Sequence, residues 1–228
     1  MSNVTLFNFS DLNPFIRASA MTDLKSPLNV ENQIAYMARV SNPSNQMNTE
    51  TAPKLIAYLI KNKHWSPLEM VSATLEIETT RDIGRQILRH RSFSFQEFSQ
   101  RYADASQLGF VVKEARLQDS KNRQSSLEVD DAALQNAWLM KQADVKDLAE
   151  NVYQWALDMG IAKEQARAVL PEGMTTTRMY MAGTIRSWWH YIELRTQLGT
   201  QKEHREVALG CAREIARIFP LIETAVSK

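Results

Sequence analysis

Two periods meet at one point in this 228-residue chain. From Met70 to Glu78 the residues alternate: Val71, Ala73, Leu75 and Ile77 are apolar, Ser72, Thr74, Glu76 and Glu78 polar. A period of two marks a strand with one buried face. By Arg81 the period has become four. Arg81, Arg85 and Arg89 recur on one side, and Ile83, Ile87 and Leu88 form the other. A half-buried strand that runs straight into an amphipathic helix demands a sheet with helices laid on its apolar face.

The remaining periods fit that demand. Val4 to Phe9 alternates and predicts a strand. Helical stripes run through 29–41 (Ile34, Met37, Ala38, Val40) and 50–62 (Leu55, Ile56, Leu59, Ile60), with Pro53 placed in a first turn where its missing N–H costs little. The polar run QDSKNRQSSL, 118–127, predicts a mobile loop. Asp130 to Met159 predicts one long helix, or two nearly continuous ones, on the stripe Leu134, Trp138, Val145, Leu148, Val152, Trp155 and Met159, closed by Gly160. A short helix, KEQARAVL, then runs to Pro171, Thr175 to Ala182 is strand-like, and Ile185–Leu194 and His204–Phe219 are helical. Repeats, low-complexity tracts and linkers are absent, so one domain over 1–228 is expected. It should be α+β, with a mixed or antiparallel sheet and long helices.

Charge and cysteine usage exclude some functions. The formal net charge is +1, so no global field draws the chain to nucleic acid or a membrane surface, and an anion must be held by a local cluster. The N-terminal MSNVTLFNFSDLNPF has neither a basic nor an apolar leader region, no apolar run approaches a membrane span, and a single cysteine forms no internal disulfide. A cytoplasmic protein is expected. The histidines His64, His90, His190 and His204 lack ligand spacing, so no metal is expected. Seven glycines include neither G-x-G-x-x-G nor a phosphate loop, so side chains must grip any nucleotide.

The stretch RHRSFSFQEFSQRY, 89–102, sets three arginines among phenylalanines, serines and a glutamate. Arginine forks match phosphate oxygens, and Ser99 adds a hydroxyl. Glu97 is of no use to a plain phosphate patch, but it suits a site that also reads a base or a sugar hydroxyl. Taken singly, the other candidates have bland readings. HWSPLE, 64–69, can be a turn, and Arg167 an exposed helix arginine. On 186–196, Arg186, His190 and Glu193 share a polar face opposite Trp189 and Ile192, with Arg195 at the helix end. Cys211 falls in a period of four with Val207, Ile215 and Phe219 and reads as core.

Together these segments resemble the flavin-dependent thymidylate synthases. The family's hallmark, R-H-R, seven residues and a serine, is Arg89-His90-Arg91, SFSFQEF and Ser99 here, continuing into Gln100-Arg101-Tyr102. ARVS at 38–41, HWSPLE, EQARAVLP at 164–171 and RSWWHYIELR at 186–195 follow in the family's order. The resemblance implies that family's fold, bound FAD, and conversion of dUMP to dTMP with methylenetetrahydrofolate and NADPH. It also implies a homotetramer with active sites between subunits. Arg89, His90 and Arg91 match positions lining the flavin, with His64, Ser66, Glu97, Arg186 and His190 beside it. Gln86, Arg89, Glu97, Ser99, Gln100, Arg101, Arg167 and Arg195 match the dUMP pocket, some acting across the subunit boundary. Arg195 matches the catalytic position that polarises the uracil and holds negative charge near N3. The sequence departs from the commonest pattern in three places. It reads Gly183-Thr184-Ile185-Arg186 with one residue added where many members have Asn-x-Arg, and it has His190 for an asparagine and Met70 for a second histidine. Two alternatives stand beside this reading. One is a relative acting on another pyrimidine nucleotide or using its flavin as an oxidase. The other is a nucleic-acid-binding module using the Arg/Phe-rich 89–102 segment, which the near-neutral charge and Glu97 disfavour.

Overall fold

A computed structural model describes residues 2–11 and 29–227. Residues 12–15 of the N-terminal segment read above for a leader lie outside them. The change of period near residue 80 is a strand-to-helix junction. Strand β2 (Ser72–Thr80) passes directly into helix α3 (Arg81–Ile87), after β1 (Asn3–Phe9), α1 (Val30–Ala38) and α2 (Ala52–Lys61). A second junction repeats it, where β6 (Thr176–Thr184) runs into α6 (Ile185–Arg195). Thr184 ends the strand and caps the helix, its hydroxyl accepting from the Ser187 N–H at 3.2 Å.

These two strands are the centre of a four-stranded antiparallel sheet ordered β1-β2-β6-β3, with β3 spanning Ser94–Glu97. β2 and β6 pair from Ser72↔Thr184 to Thr80↔Thr176. In this register Ala73, Leu75 and Ile77 share a face with Met179 and Met181, and all five are buried. Helices α3, α6 and α7 (Lys202–Ala216) bring Ile83, Ile87, Trp188, Ile192, Val207, Cys211 and Ile215 into the same core. Cys211 is fully buried as its period predicted, and burial pushes its thiol well above the usual range.

The run 118–127 is not a loop throughout. β4 (Arg116–Gln118) and β5 (Ser126–Glu128) form a hairpin. Its turn is held by polar side chains on backbone: Gln118 Nε2 donates to the Asp119 and Ser125 carbonyls at 3.1 and 3.2 Å, and Asp119 accepts from the Lys121 N–H at 2.8 Å. Composition reads as loop because the hydrogen bonds that order it come from loop-like residues.

The long helix is continuous, α4 (Ala132–Asp158), with Asp131 as its N-cap and Gly160 at φ 76° closing it in the left-handed region. Its orientation corrects the expected stripe. The inward face carries Gln142, Ala149, Tyr153 and Ala156, whereas Trp138, Val145, Leu148, Trp155 and Met159 are exposed. Gln142 takes the Lys113 N–H and gives to the Lys113 C=O, both at 2.8 Å, and Gln135 treats Ala115 alike at 2.8 and 3.0 Å. Two glutamines two turns apart thus stand in for a neighbouring strand, and the large apolar side chains are left outward. The short helix α5 (Lys163–Ala166) continues into a 3-10 turn, Arg167–Val169, and packs against α4 through Ala166, Leu170, Tyr153 and Ala156.

Candidate active site

The Arg-His-Arg motif occupies the turn between α3 and β3. Phe93 anchors it. Its ring lies edge-on to Trp188 at 4.7 Å and close against Gly183, where a Cβ would sit 2.4 Å from the ring. Gly183, a departure from the commoner pattern, therefore has a packing reason. The Ser187 hydroxyl donates to the Ser92 carbonyl at 3.2 Å and ties the same turn to the start of α6.

Arg195, the last residue of α6, meets this turn. Its Nε donates to His90 Nε2 at 2.9 Å, so that nitrogen is unprotonated. Burial, then Arg195 and Arg89, lower the His90 pKa to about 4. Among the described residues neither Arg89, Arg91 nor Arg195 has a carboxylate partner within ion-pair distance. Cations gathered around a neutral imidazole, with no balancing acid, leave a local positive site. Behind it stands His204, on α7 and fully buried. Its Nδ1 lies 3.2 Å from Gln86 Oε1 and its Nε2 3.2 Å from the Tyr191 hydroxyl. Burial, Arg195, His90 and Arg89 lower its pKa to about 3.

Glu97 belongs to a different arrangement. It accepts from Thr177 at 2.9 Å and Arg85 at 3.2 Å, with Arg81 at 3.7 Å. Glu172 completes the set, 3.6 Å from both arginines. Arg81, expected on a polar face, is buried with these partners. Ser99 and Gln100 follow on the loop. Gln100 is 4% exposed, and among the described residues its Nε2 has no hydrogen-bond partner. A buried amide donor left unmet is costly unless something outside this chain meets it. Arg101 and Arg167 converge on Glu164, by an ion pair at 3.7 Å and by a hydrogen bond to its carbonyl at 3.2 Å.

A third group lies at the start of α6. Arg186 pairs with Glu69, and His190 stands edge-on to Trp65 at 4.5 Å and near Glu193 at 3.9 Å. Ser66 opens the 3-10 turn that carries Glu69, and His64 precedes it with its ring 6.2 Å from Tyr58. The predicted residues thus fall into neighbourhoods: Gln86, Arg89, His90 and Arg195; Ser66, Arg186 and His190; Arg101 and Arg167; Glu97 with two arginines of its own. Sequence reading missed His204, Tyr191 and Thr177. The first two carried a signal, because polar groups at buried positions of helical stripes must find partners.

Comparison with known proteins places the chain as a whole. The family described as "Thymidylate synthase complementing protein" matches residues 24–221. The chain is 50% identical over 196 residues to the "Probable flavin-dependent thymidylate synthase" of Paramecium bursaria Chlorella virus 1, covering 86% of this chain and 90% of that one. It is 48% identical over 200 residues to the flavin-dependent thymidylate synthase of Synechocystis sp., covering 88% and 91%. The solved structure of a UMP/dUMP methylase, PolB from Streptomyces cacaoi bound with 5-Br dUMP, superposes with a TM-score of 0.79 at 26% identity, over 99% of this chain and 94% of that one. With the motif seated between strand and helix and the match running through nearly the whole sequence, the chain belongs to the flavin-dependent thymidylate synthase family.

Proposed function

We propose that this chain methylates dUMP to dTMP, taking the carbon from 5,10-methylenetetrahydrofolate and reducing equivalents from NADPH, with FAD as its bound flavin. The observation that carries the proposal is the cluster at the motif turn: Arg89 and Arg195 flank a neutral His90 with no carboxylate to balance them. Such a cluster is built for an anionic ligand. The unmet amide of buried Gln100 calls for a polar ligand as well.

FAD, when bound, supplies the hydride that reduces the transferred one-carbon unit. Arg89, His90, Arg91, Ser66, His64, Arg186 and His190 are the residues that would hold it. They offer cations, exposed hydroxyl and imidazole groups and the Trp65–His190 ring pair, which suit a phosphate-bearing aromatic cofactor. Arg101, Arg167, Ser99 and Gln100 would hold the nucleotide. Arg195 is held at Nε by His90, which leaves its two terminal nitrogens for a pyrimidine oxygen. There it would stabilise the negative charge that makes C5 nucleophilic. Were His90 protonated it would repel Arg195, so its lowered pKa maintains the contact. Cys211, fully buried and with its thiol pushed up, supports a route without cysteine attack.

The outward apolar face of α4, with Trp138, Leu148, Trp155 and Met159, supports self-association, and a homotetramer with sites between subunits suits the separate neighbourhoods of site residues. Among the described residues no helix is long and apolar enough to cross a membrane, and we place the protein in the cytoplasm. The test is direct. Purified protein is mixed with FAD and desalted, and its visible spectrum is recorded with and without dUMP. Retained flavin bands that shift with dUMP, followed by dTMP formation that needs methylenetetrahydrofolate and NADPH, are expected. A colourless protein that ignores dUMP and binds oligonucleotides in a salt-sensitive way would instead favour the nucleic-acid reading.

A further inference from the structure

The hydrogen bonds behind Arg195 form a line whose direction is set at one end. Glu203 is a carboxylate, held by Arg116, and a carboxylate only accepts. Gln201 therefore turns its nitrogen to Glu203 Oε2, at 2.9 Å, and its oxygen the other way. That oxygen receives Gln86 Nε2 at 2.7 Å. The Gln86 oxygen must then face His204 Nδ1, at 3.2 Å, so Nδ1 carries the hydrogen. His204 Nε2, 3.2 Å from Tyr191, is left as the acceptor of the Tyr191 O–H. Amide and imidazole orientations are ordinarily ambiguous. Here the Arg116–Glu203 pair fixes each in turn.

We propose that His204 is a positioning residue that locks the Gln86 carboxamide with its oxygen inward, so that Gln86 offers the nucleotide an N–H and not a carbonyl. This rests on the reading that Gln86 belongs to the dUMP site. The group Gln86 meets is then an acceptor, such as a phosphate, ribose or carbonyl oxygen. Without His204 the carboxamide is held from one side only, by Gln201, and its oxygen loses its donor, so the N–H is less firmly aimed at that acceptor. His204 touches no substrate in this scheme and acts only through Gln86. At 0% exposure it meets no ligand itself.

A double-mutant cycle on the flavin-loaded protein tests it. His204→Phe keeps the ring volume and removes the donor. The KM for dUMP should rise about tenfold while kcat changes less than about threefold. His204→Asn, which keeps an N–H near Nδ1, should recover most of the loss. Tyr191→Phe, which takes away the O–H that holds the ring at Nε2, should fall between the two. In a Gln86→Ala background His204→Phe should cost less than about twofold more, because the group it positions is gone. A KM unchanged in His204→Phe, or an equal loss with and without Gln86, overturns the assignment. If His204→Phe does not fold, the same cycle with Tyr191→Phe decides the matter. A wild-type chain that does not bind dUMP overturns the functional reading, and this inference with it. A wild-type chain that binds dUMP and shows an additive cycle overturns this inference alone.

Discussion

Arg81, Arg85 and Arg89 lie one turn apart, yet they belong to two regions that treat positive charge in opposite ways. Arg81 and Arg85 face Glu97 and Glu172, and Arg81 is buried among them. Arg89 stands past the helix end beside Arg195, with a neutral histidine where an acid would be expected. A buried cation with its carboxylates in place is part of the framework, and breaking the set leaves an unmet charge. A cation kept without a carboxylate adds self-repulsion, which is useful only if an anion arrives. On the proposed function, the difference separates residues that hold the fold from residues that wait for a ligand, although composition makes them look alike.

The sharpest break of this comparison is Arg195→Ala. It should lower kcat/KM by about 10³-fold, in the range seen when a donor to developing charge is lost. Flavin retention should change little, and the melting temperature should hold or rise because an unbalanced cation is gone. Equal loss of turnover and flavin binding would sink its catalytic role. Next is Glu97→Ala, which leaves buried Arg81 with Glu172 alone and should cost about 3 kcal/mol. For a chain of this size that is a fall of roughly 6–12 °C in the melting temperature. Replacing Arg81 and Glu97 together by methionine and leucine should restore most of it.

The third effect is acid sensitivity. His90 and His204 have folded-state pKa values of about 4 and about 3, below the ordinary 6.5. The unfolded chain therefore binds more protons between those values and 6.5. Stability is present in full above pH 6.5 and is lost as pH falls from there, by up to about 1.4 kcal/mol per pH unit for each proton. Urea midpoints between pH 6.5 and 5 read this before the carboxylates titrate, and His204→Asn should flatten the slope. The smallest effect is Cys211→Ser, which exchanges one buried atom and should cost about 1 kcal/mol with turnover per folded molecule unchanged. A folded, flavin-loaded but inactive variant would overturn its place in the core.

Most of the fold was legible because the elements around the sheet obey a simple rule: apolar residues at one period face one core. β2, α3 and α7 were read correctly on that rule. α4 broke it. Most of its large apolar side chains point outward, and its buried face is made of Gln142, Ala149, Tyr153 and Ala156. Sequence periodicity finds an apolar stripe but does not say whose core it enters. The hairpin at 116–128 was hidden for another reason, since Gln118 and Asp119 spend their polar groups on backbone that composition marks as loop. Arg89, His90 and Arg195 were singled out through the motif and the resemblance it carries. The proximity of His90 to Arg195, and the line from Tyr191 through His204 to Gln86, depend on residues 100 or more positions apart in part, and no local pattern encodes them.

The close seating of Phe93 on Gly183 bears on how this sequence can drift. A methyl group at 183 would lie 2.4 Å from the ring of a residue two places past Arg91, so neither site changes without a shift at the other. Alanine at 183 is tolerable only after 93 has shrunk, and a smaller residue at 93 alone leaves a void beside Trp188. Lineages descended from this chain should therefore keep both residues or replace both, and the turn that carries the three motif residues inherits that restriction.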